Sequence, residues 1–213
     1  MPDDLALHLH RFVPGTAPLA VLALHGTGGD ENDLLALAAH LAPGAAVLSP
    51  RGNVSEQGMA RFFRRLEPGV FDEADVRRRA ADLARFVTAA RQHYPVAAAP
   101  LLAVGYSNGA NIAAALLLLH PEVLAGAVLL RPMVPLWSET LPDLRQRPVW
   151  IGSGRHDPLV PPAGTSALVE ILRRAGAEVT WHEQEADHGL QRDELDLARR
   201  WVAGGRFDPA ART

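Results

Sequence analysis

The chain of 213 residues predicts an α/β fold, with a mostly parallel central sheet flanked by helices. Three observations carry that expectation. Short continuous apolar runs, such as LAVLAL at 19–24 and GAVLL at 126–130, read as strands buried on both faces. Segments with helical spacing of apolar residues lie between them, and Gly or Pro punctuates most junctions. The length suits one compact domain, expected over 1–213, and a chain of this size buries roughly 70% of its unfolded surface without staples.

Taken in order, residues 19–24 form a strand ending at His25-Gly26. After a Gly-rich turn, 30–41 has helical spacing, with Leu34, Leu37, Ala38 and Leu41 on one stripe. Residues 45–48 are another buried strand, stopped by Ser49-Pro50. The stretch 51–71 reads as irregular, and a helix over 72–93 follows, ended by Pro95. Residues 101–104 are a strand, and 108–119 an Ala/Leu-rich helix stopped at His120-Pro121. The strand at 126–130 leads through a proline-rich loop to another at 149–152. Residues 163–175 are helical, 178–182 a strand, and 190–202 an amphipathic helix, with a tail at 204–213 expected to fray.

Composition removes several classes of function. Hydrophobic residues are 48% and charged residues 21% of the chain, an ordinary globular balance. A net charge of -3 with interspersed signs offers no basic surface to nucleic acid or to a membrane. The absence of cysteine excludes disulfides, thiolate metal ligands and a cysteine nucleophile. All 21 basic residues are Arg, which reads as codon bias but also excludes a catalytic lysine. The longest apolar runs, at 113–119 and 125–130, fall short of a membrane span, which needs roughly 18 residues. Met1-Pro2-Asp3-Asp4 does not open a signal peptide, so a cytoplasmic location is expected.

In a parallel sheet, ligands bind beyond the carboxyl ends of the strands, so polar residues just after strands are the candidates. Gly105-Tyr106-Ser107-Asn108-Gly109 fits G-x-S-x-G, directly after a strand and directly before a helix. A nucleophilic serine there needs a strained backbone, and its flanking glycines let strand and helix approach closely. The plainer alternative is a Gly/Ser turn in which Ser107 only caps the helix. Serine needs a base. Among nine histidines, His188 lies in the turn EADHGL between the last strand and the last helix. His8, His10, His40, His93, His120 and His182 lie in or beside regular elements and read as structural or surface residues; His25 reads as structural in its loop.

The acid that orients the base should follow a strand between Ser107 and His188, and Asp157 does, after 149–152. Asp143, Glu139 and Asp187 compete without directly following an apolar strand, and His156 reads as exposed. A developing oxyanion needs donors, each worth about 3 kcal/mol. The Asn108 N–H and that of Thr27, in the loop His25-Gly26-Thr27-Gly28-Gly29, are the candidates. That loop matches neither G-x-x-x-x-G-K-[ST] nor G-x-G-x-x-G, so a phosphate cradle is disfavoured.

The segments at 24–35 (LHGTGGDENDLL), 48–72 (LSPRGNVSEQGMARFFRRLEPGVFD), 105–113 (GYSNGANIA), 154–161 (GRHDPLVP) and 187–190 (DHGL) run in order over most of the chain. Through them it resembles the small bacterial carboxylesterase/phospholipase family of α/β-hydrolases, relatives of the acyl-protein thioesterases and dienelactone hydrolases. The resemblance implies an α/β-hydrolase without a cap domain, a triad of Ser107, Asp157 and His188, and an oxyanion hole at Thr27 and Asn108. It implies a serine carboxylesterase for small acyl esters, with thioesters also in reach, needing no cofactor or metal, and is compatible with a homodimer. A non-catalytic binding protein on the same scaffold, or a hydrolase of another bond such as a dienelactone, are the alternatives. One departure argues against long acyl chains. The thioesterases usually carry a tryptophan-containing segment after the fourth strand, where this chain reads Arg61-Phe62-Phe63-Arg64-Arg65.

The substrate pocket is expected to be shallow, with Met59, Phe62, Phe63, Met133, Trp137 and Leu159 as its apolar lining. Arg64, Arg65 and Arg131 read either as attractors of a carboxylate-bearing substrate or, more simply, as solvated charges.

Overall fold

The computed structural model of the chain describes residues 2–96, 98–205 and 207. After a short 3-10 turn (Pro2–Leu7), strands β1 (His10–Val13) and β2 (Ala20–Leu24) precede helix α1 (Leu35–Leu41) and strand β3 (Ala46–Pro50). Two small hairpins follow, β4 (Val54–Glu56) with β5 (Met59–Arg61), and β6 (Arg65–Glu67) with β7 (Val70–Phe71). Then come α2 (Glu73–His93), β8 (Leu101–Tyr106), α3 (Asn108–Leu119), β9 (Gly126–Leu130), β10 (Pro148–Gly154), α4 (Pro162–Arg174), β11 (Glu178–Gln184) and α5 (Arg192–Ala203).

Seven strands form the main sheet in the order β1-β3-β2-β8-β9-β10-β11, with β1 antiparallel and the rest parallel. Alternate residues of β2 feed two cores. Ala20, Leu22 and Leu24 join Leu83 of α2, Ile112 of α3 and Leu168 of α4 on one face. Val21 and Ala23 join Ala38 of α1 and Ala198 of α5 on the other. Burial on both faces is why β2, β8 and β9 are continuous apolar runs rather than alternating ones. Helix α3 is buried from Asn108 through Leu118, which its Ala/Leu composition permits. The chain runs outward from β2 to β3, then crosses back to β8 on the other side. The loops after β2 and β8 therefore diverge and leave a crevice at the carboxyl end of the sheet.

Several expectations are corrected. The segment 51–71 is two hairpins, and β1 is an edge strand whose four residues are too few for a periodic signal. Helix α1 starts at Leu35, because 31–34 form a turn in which Asp30 Oδ1 accepts from Asn32 N–H at 2.7 Å. There Glu31 turns to Arg51 Nε at 2.5 Å instead of lying on a helix. Strands β8, β10 and β11 run two residues further than expected at their carboxyl ends. The fraying expected at 204–213 falls mostly outside the described residues; Phe207, which is described, is buried 5.8 Å from the Trp201 ring. Among the described residues, no helix is long and apolar enough to cross a membrane.

Candidate active site

Ser107 joins β8 to α3 with φ +52° and ψ −114°, a strained conformation for a residue with a Cβ, costing roughly 1–3 kcal/mol. Its surroundings over-determine it. The Ser107 N–H donates to Leu130 O at 2.8 Å, and its carbonyl accepts from Asn111 N–H at 3.0 Å. A Cβ on Gly109 would lie 1.9 Å from Leu24 O, and one on Gly105 would lie 2.6 Å from Gly109 O. Only glycine allows β8, α3 and β2 to meet this closely.

His188 reaches the serine from the loop between β11 and α5, with Nε2 3.0 Å from Ser107 Oγ. Its Nδ1 lies 2.7 Å from Oδ2 of Asp157, in the turn after β10. Asp157 Oδ1 accepts from the N–H groups of Leu159 at 2.8 Å and Val160 at 3.0 Å. The aspartate is buried and spends both oxygens, while the imidazole keeps a solvent-facing edge, at 18% side-chain exposure. A ring whose Nδ1–H donates to a carboxylate presents Nε2 as an acceptor, the tautomer able to take a hydroxyl proton. Of the competing acids, Asp143 is exposed and held to about 2 by the Arg145 guanidinium. Glu139 is exposed, and Asp187 caps its own turn through Gly189 N–H at 2.8 Å. His156 is exposed and pairs with Glu185 at 2.8 Å.

The histidine loop is fastened from below by a group the sequence did not single out for this task. Arg131 has no exposed surface. Its Nε donates to Asp187 O at 3.1 Å and its Nη2 to Gly189 O at 2.6 Å. Its charge meets Glu194 of α5, equally buried, at 2.5 and 2.9 Å. The intervening carbonyl, of His188, accepts from Tyr106 OH at 3.0 Å. Arg131 is therefore neither a solvated charge nor a substrate attractor. The Glu194 it pairs with lies 63 residues away, a separation at which no local pattern signals pairing.

On the other side of the crevice, the loop after β2 carries Thr27. Among the described residues, neither the Thr27 nor the Asn108 main-chain N–H has a protein acceptor. The loop is rigid: Gly28 N–H donates to Ala60 O at 2.9 Å, and Arg61 Nη1 to Thr27 Oγ1 at 2.6 Å. The Asn108 side chain ties in the hairpins by accepting from Phe62 N–H at 2.7 Å. Arg61 is 3% exposed, and burial pushes its guanidinium below the usual value, Glu56 opposing and Arg65 assisting.

A cleft of about 540 Å³ contains Ser107 and His188 and is lined by Thr27, Asn108, Met59, Met133 and Leu159. Three residues of the expected lining, Phe62, Phe63 and Trp137, lie elsewhere. Phe62 and Phe63 are fully buried and belong to the core, where Phe62 packs against the His25 ring and Phe63 meets Phe71 edge-on. Trp137 is 63% exposed and outside the cleft. Arg64 is solvent-exposed and paired with Asp72, whereas Arg61 and Arg65 do line the cleft. The hairpins were unreadable as a wall because each strand is only two or three residues long.

A family model described as serine aminopeptidase, S33 (Hydrolase_4), matches residues 67–147. MhqD of Bacillus subtilis (strain 168), whose assignment goes no further than hydrolase, is 44% identical over 192 residues, 90% of this chain and 96% of MhqD. The crystal structure of the Bacillus cereus carboxylesterase matches with a TM-score of 0.88 and 43% identity, over 91% of this chain and 92% of that one. The chain belongs to the small bacterial carboxylesterase family. This carboxylesterase has the α/β-hydrolase fold and is a carboxylic ester hydrolase. It is also similar to YahD, in a structure with malic acid, at 28% identity and a TM-score of 0.85 over 91% of this chain and 97% of that one.

Proposed function

We propose that the protein hydrolyses small carboxylic esters through an acyl-enzyme on Ser107, with His188 as general base and acid and Asp157 as its orienting carboxylate. One observation carries the reading, the unbroken chain Ser107 Oγ–His188 Nε2–Nδ1–Asp157 Oδ2 at 3.0 and 2.7 Å. In the first half-reaction His188 Nε2 takes the hydroxyl proton as Oγ attacks the ester carbonyl, and Asp157 stabilises the imidazolium. The tetrahedral oxyanion is met by the Thr27 and Asn108 N–H groups, which have no competing protein acceptor. His188 then protonates the leaving alkoxide, leaving the acyl group on Ser107. In the second half-reaction His188 deprotonates a water, which attacks the acyl-enzyme and releases the acid. A thioester enters the same sequence with a thiolate as leaving group.

The test is steady-state kinetics on a short p-nitrophenyl ester. Ser107→Ala should lower kcat by about 10⁶-fold and Asp157→Asn by about 10⁴-fold, each keeping the wild-type circular dichroism. A folded Ser107→Ala protein with wild-type turnover contradicts the proposal.

A further inference from the structure

We infer that the hairpin wall of the cleft selects esters that carry a free carboxylate, with Arg61 and Arg65 as the anion-recognising pair. This rests on Ser107 being the nucleophile, since that fixes where the scissile carbonyl lies. Apart from His188 and the Tyr106 phenol, the ionisable groups lining the cleft among the described residues are two guanidinium groups, and no Asp or Glu joins them. One carboxylate serves both. Glu56 approaches Arg65 Nη2 at 2.6 Å and Arg61 Nε at 3.4 Å, and it is not among the residues that line the cleft. Two cations against one anion leave a positive charge on the cleft wall. A buried cation without full compensation is costly in an apolar setting, and a carboxylate ligand supplies the missing charge.

One of the two guanidinium groups is also fixed in place, and each keeps a free donor. Arg61 is held by Thr27 Oγ1 at 2.6 Å and Phe63 O at 3.1 Å, so the plane of its fork is set before any ligand arrives. Arg61 Nη2 and Arg65 Nη1 have no hydrogen-bond acceptor among the described residues. Because Arg61 touches Thr27, the cationic edge begins beside the candidate oxyanion site, and Arg65 extends it along the same wall. The rest of the cleft offers Met59, Phe71, Met133 and Leu159 to the carbon skeleton. The substrate class is thus a short ester or lactone with a carboxylate a few carbons from the scissile carbonyl.

The experiment compares two esters of equal length, p-nitrophenyl hexanoate and the mono-p-nitrophenyl ester of adipic acid, on the intact protein. The expected ratio of kcat/KM, charged over neutral, is about tenfold or more at low ionic strength, expressed in KM and shrinking as salt is added. Arg65→Gln should bring that ratio down about tenfold, and Glu56→Gln should raise it, because it frees both guanidinium groups. A merely structural role for Arg65 does not predict opposite signs for the two variants. A wild-type ratio at or below one overturns the inference, as does an unchanged ratio in Arg65→Gln. Labelling by a fluorophosphonate separates the two levels. A protein that labels at Ser107 and shows no charge preference overturns the anion site alone, and one that takes no label overturns both.

Discussion

His25 spends both ring nitrogens on main-chain groups, Nδ1 on Gly26 O at 2.6 Å and Nε2 on Gly52 N–H at 2.9 Å. Since Nε2 accepts, the ring is the neutral Nδ1–H tautomer, and it locks the end of β2 to the segment after β3. Protonation would set a donor against a donor, and burial pushes the imidazole below the usual histidine range. His8 is alike: burial lowers it too, and its buried Nε2 has no partner among the described residues to receive a proton. The sign follows from linkage. Between the lowered folded values and the ordinary 6.5, the unfolded chain binds protons that the folded chain refuses, so stability falls as pH falls below 6.5. Urea midpoints should drop on going from pH ~7.5 to ~5.5, the unfolding free energy falling by up to about 1.4 kcal/mol per pH unit for each histidine. His8→Gln should show a shallower slope than the wild type. A midpoint that rises toward acid would contradict this account of both rings.

At the scale of elements, the loop between β11 and α5 is held by three main-chain carbonyls in succession, those of Asp187, His188 and Gly189. Two of the donors belong to Arg131, whose charge is balanced by Glu194 in the first turn of α5. Removing one partner of such a buried pair costs about 3–5 kcal/mol, whereas replacing both with apolar groups of similar volume is often nearly neutral. Glu194→Gln should therefore lower Tm strongly. The double variant Arg131→Met with Glu194→Leu should recover part of that Tm but lose kcat, because the carbonyls of Asp187 and Gly189 then lack their donors. Calorimetry and kcat on the same preparations check it; an unchanged Tm in Glu194→Gln would contradict the role given to the pair. The legibility of elements divides along the same physical line. β8 and α3 were readable because apolar runs and glycines are local signals. β1 has four residues and an exposed alternate face, and the hairpin strands are shorter still, so their identity comes from tertiary pairing.

Across the whole molecule, topology collects residues that sequence keeps apart. The sheet order sends β3 outward on one side of β2 and β8 to β11 outward on the other, so the loops after β2, β8, β10 and β11 share one end of the sheet. That is why the candidate site draws on Thr27, Ser107, Asp157 and His188, none of which is near another in the chain. Their positions after strands could be read in advance, since Gly, Pro and short apolar runs mark strand ends. The cationic wall was legible only in part, Arg65 being read as a candidate carboxylate attractor and Arg61 not. Arg61 and Arg65 stand in an aperiodic stretch, and only the folded hairpins turn them and not Arg64 toward the cleft. The central claim, that these four segments assemble one nucleophilic serine, has a direct test in peptide mapping after fluorophosphonate treatment. The account predicts one adduct per chain, on the peptide containing Ser107, and none on Ser107→Ala. An adduct on a different residue, or a well-folded wild-type protein that stays unmodified, would contradict it.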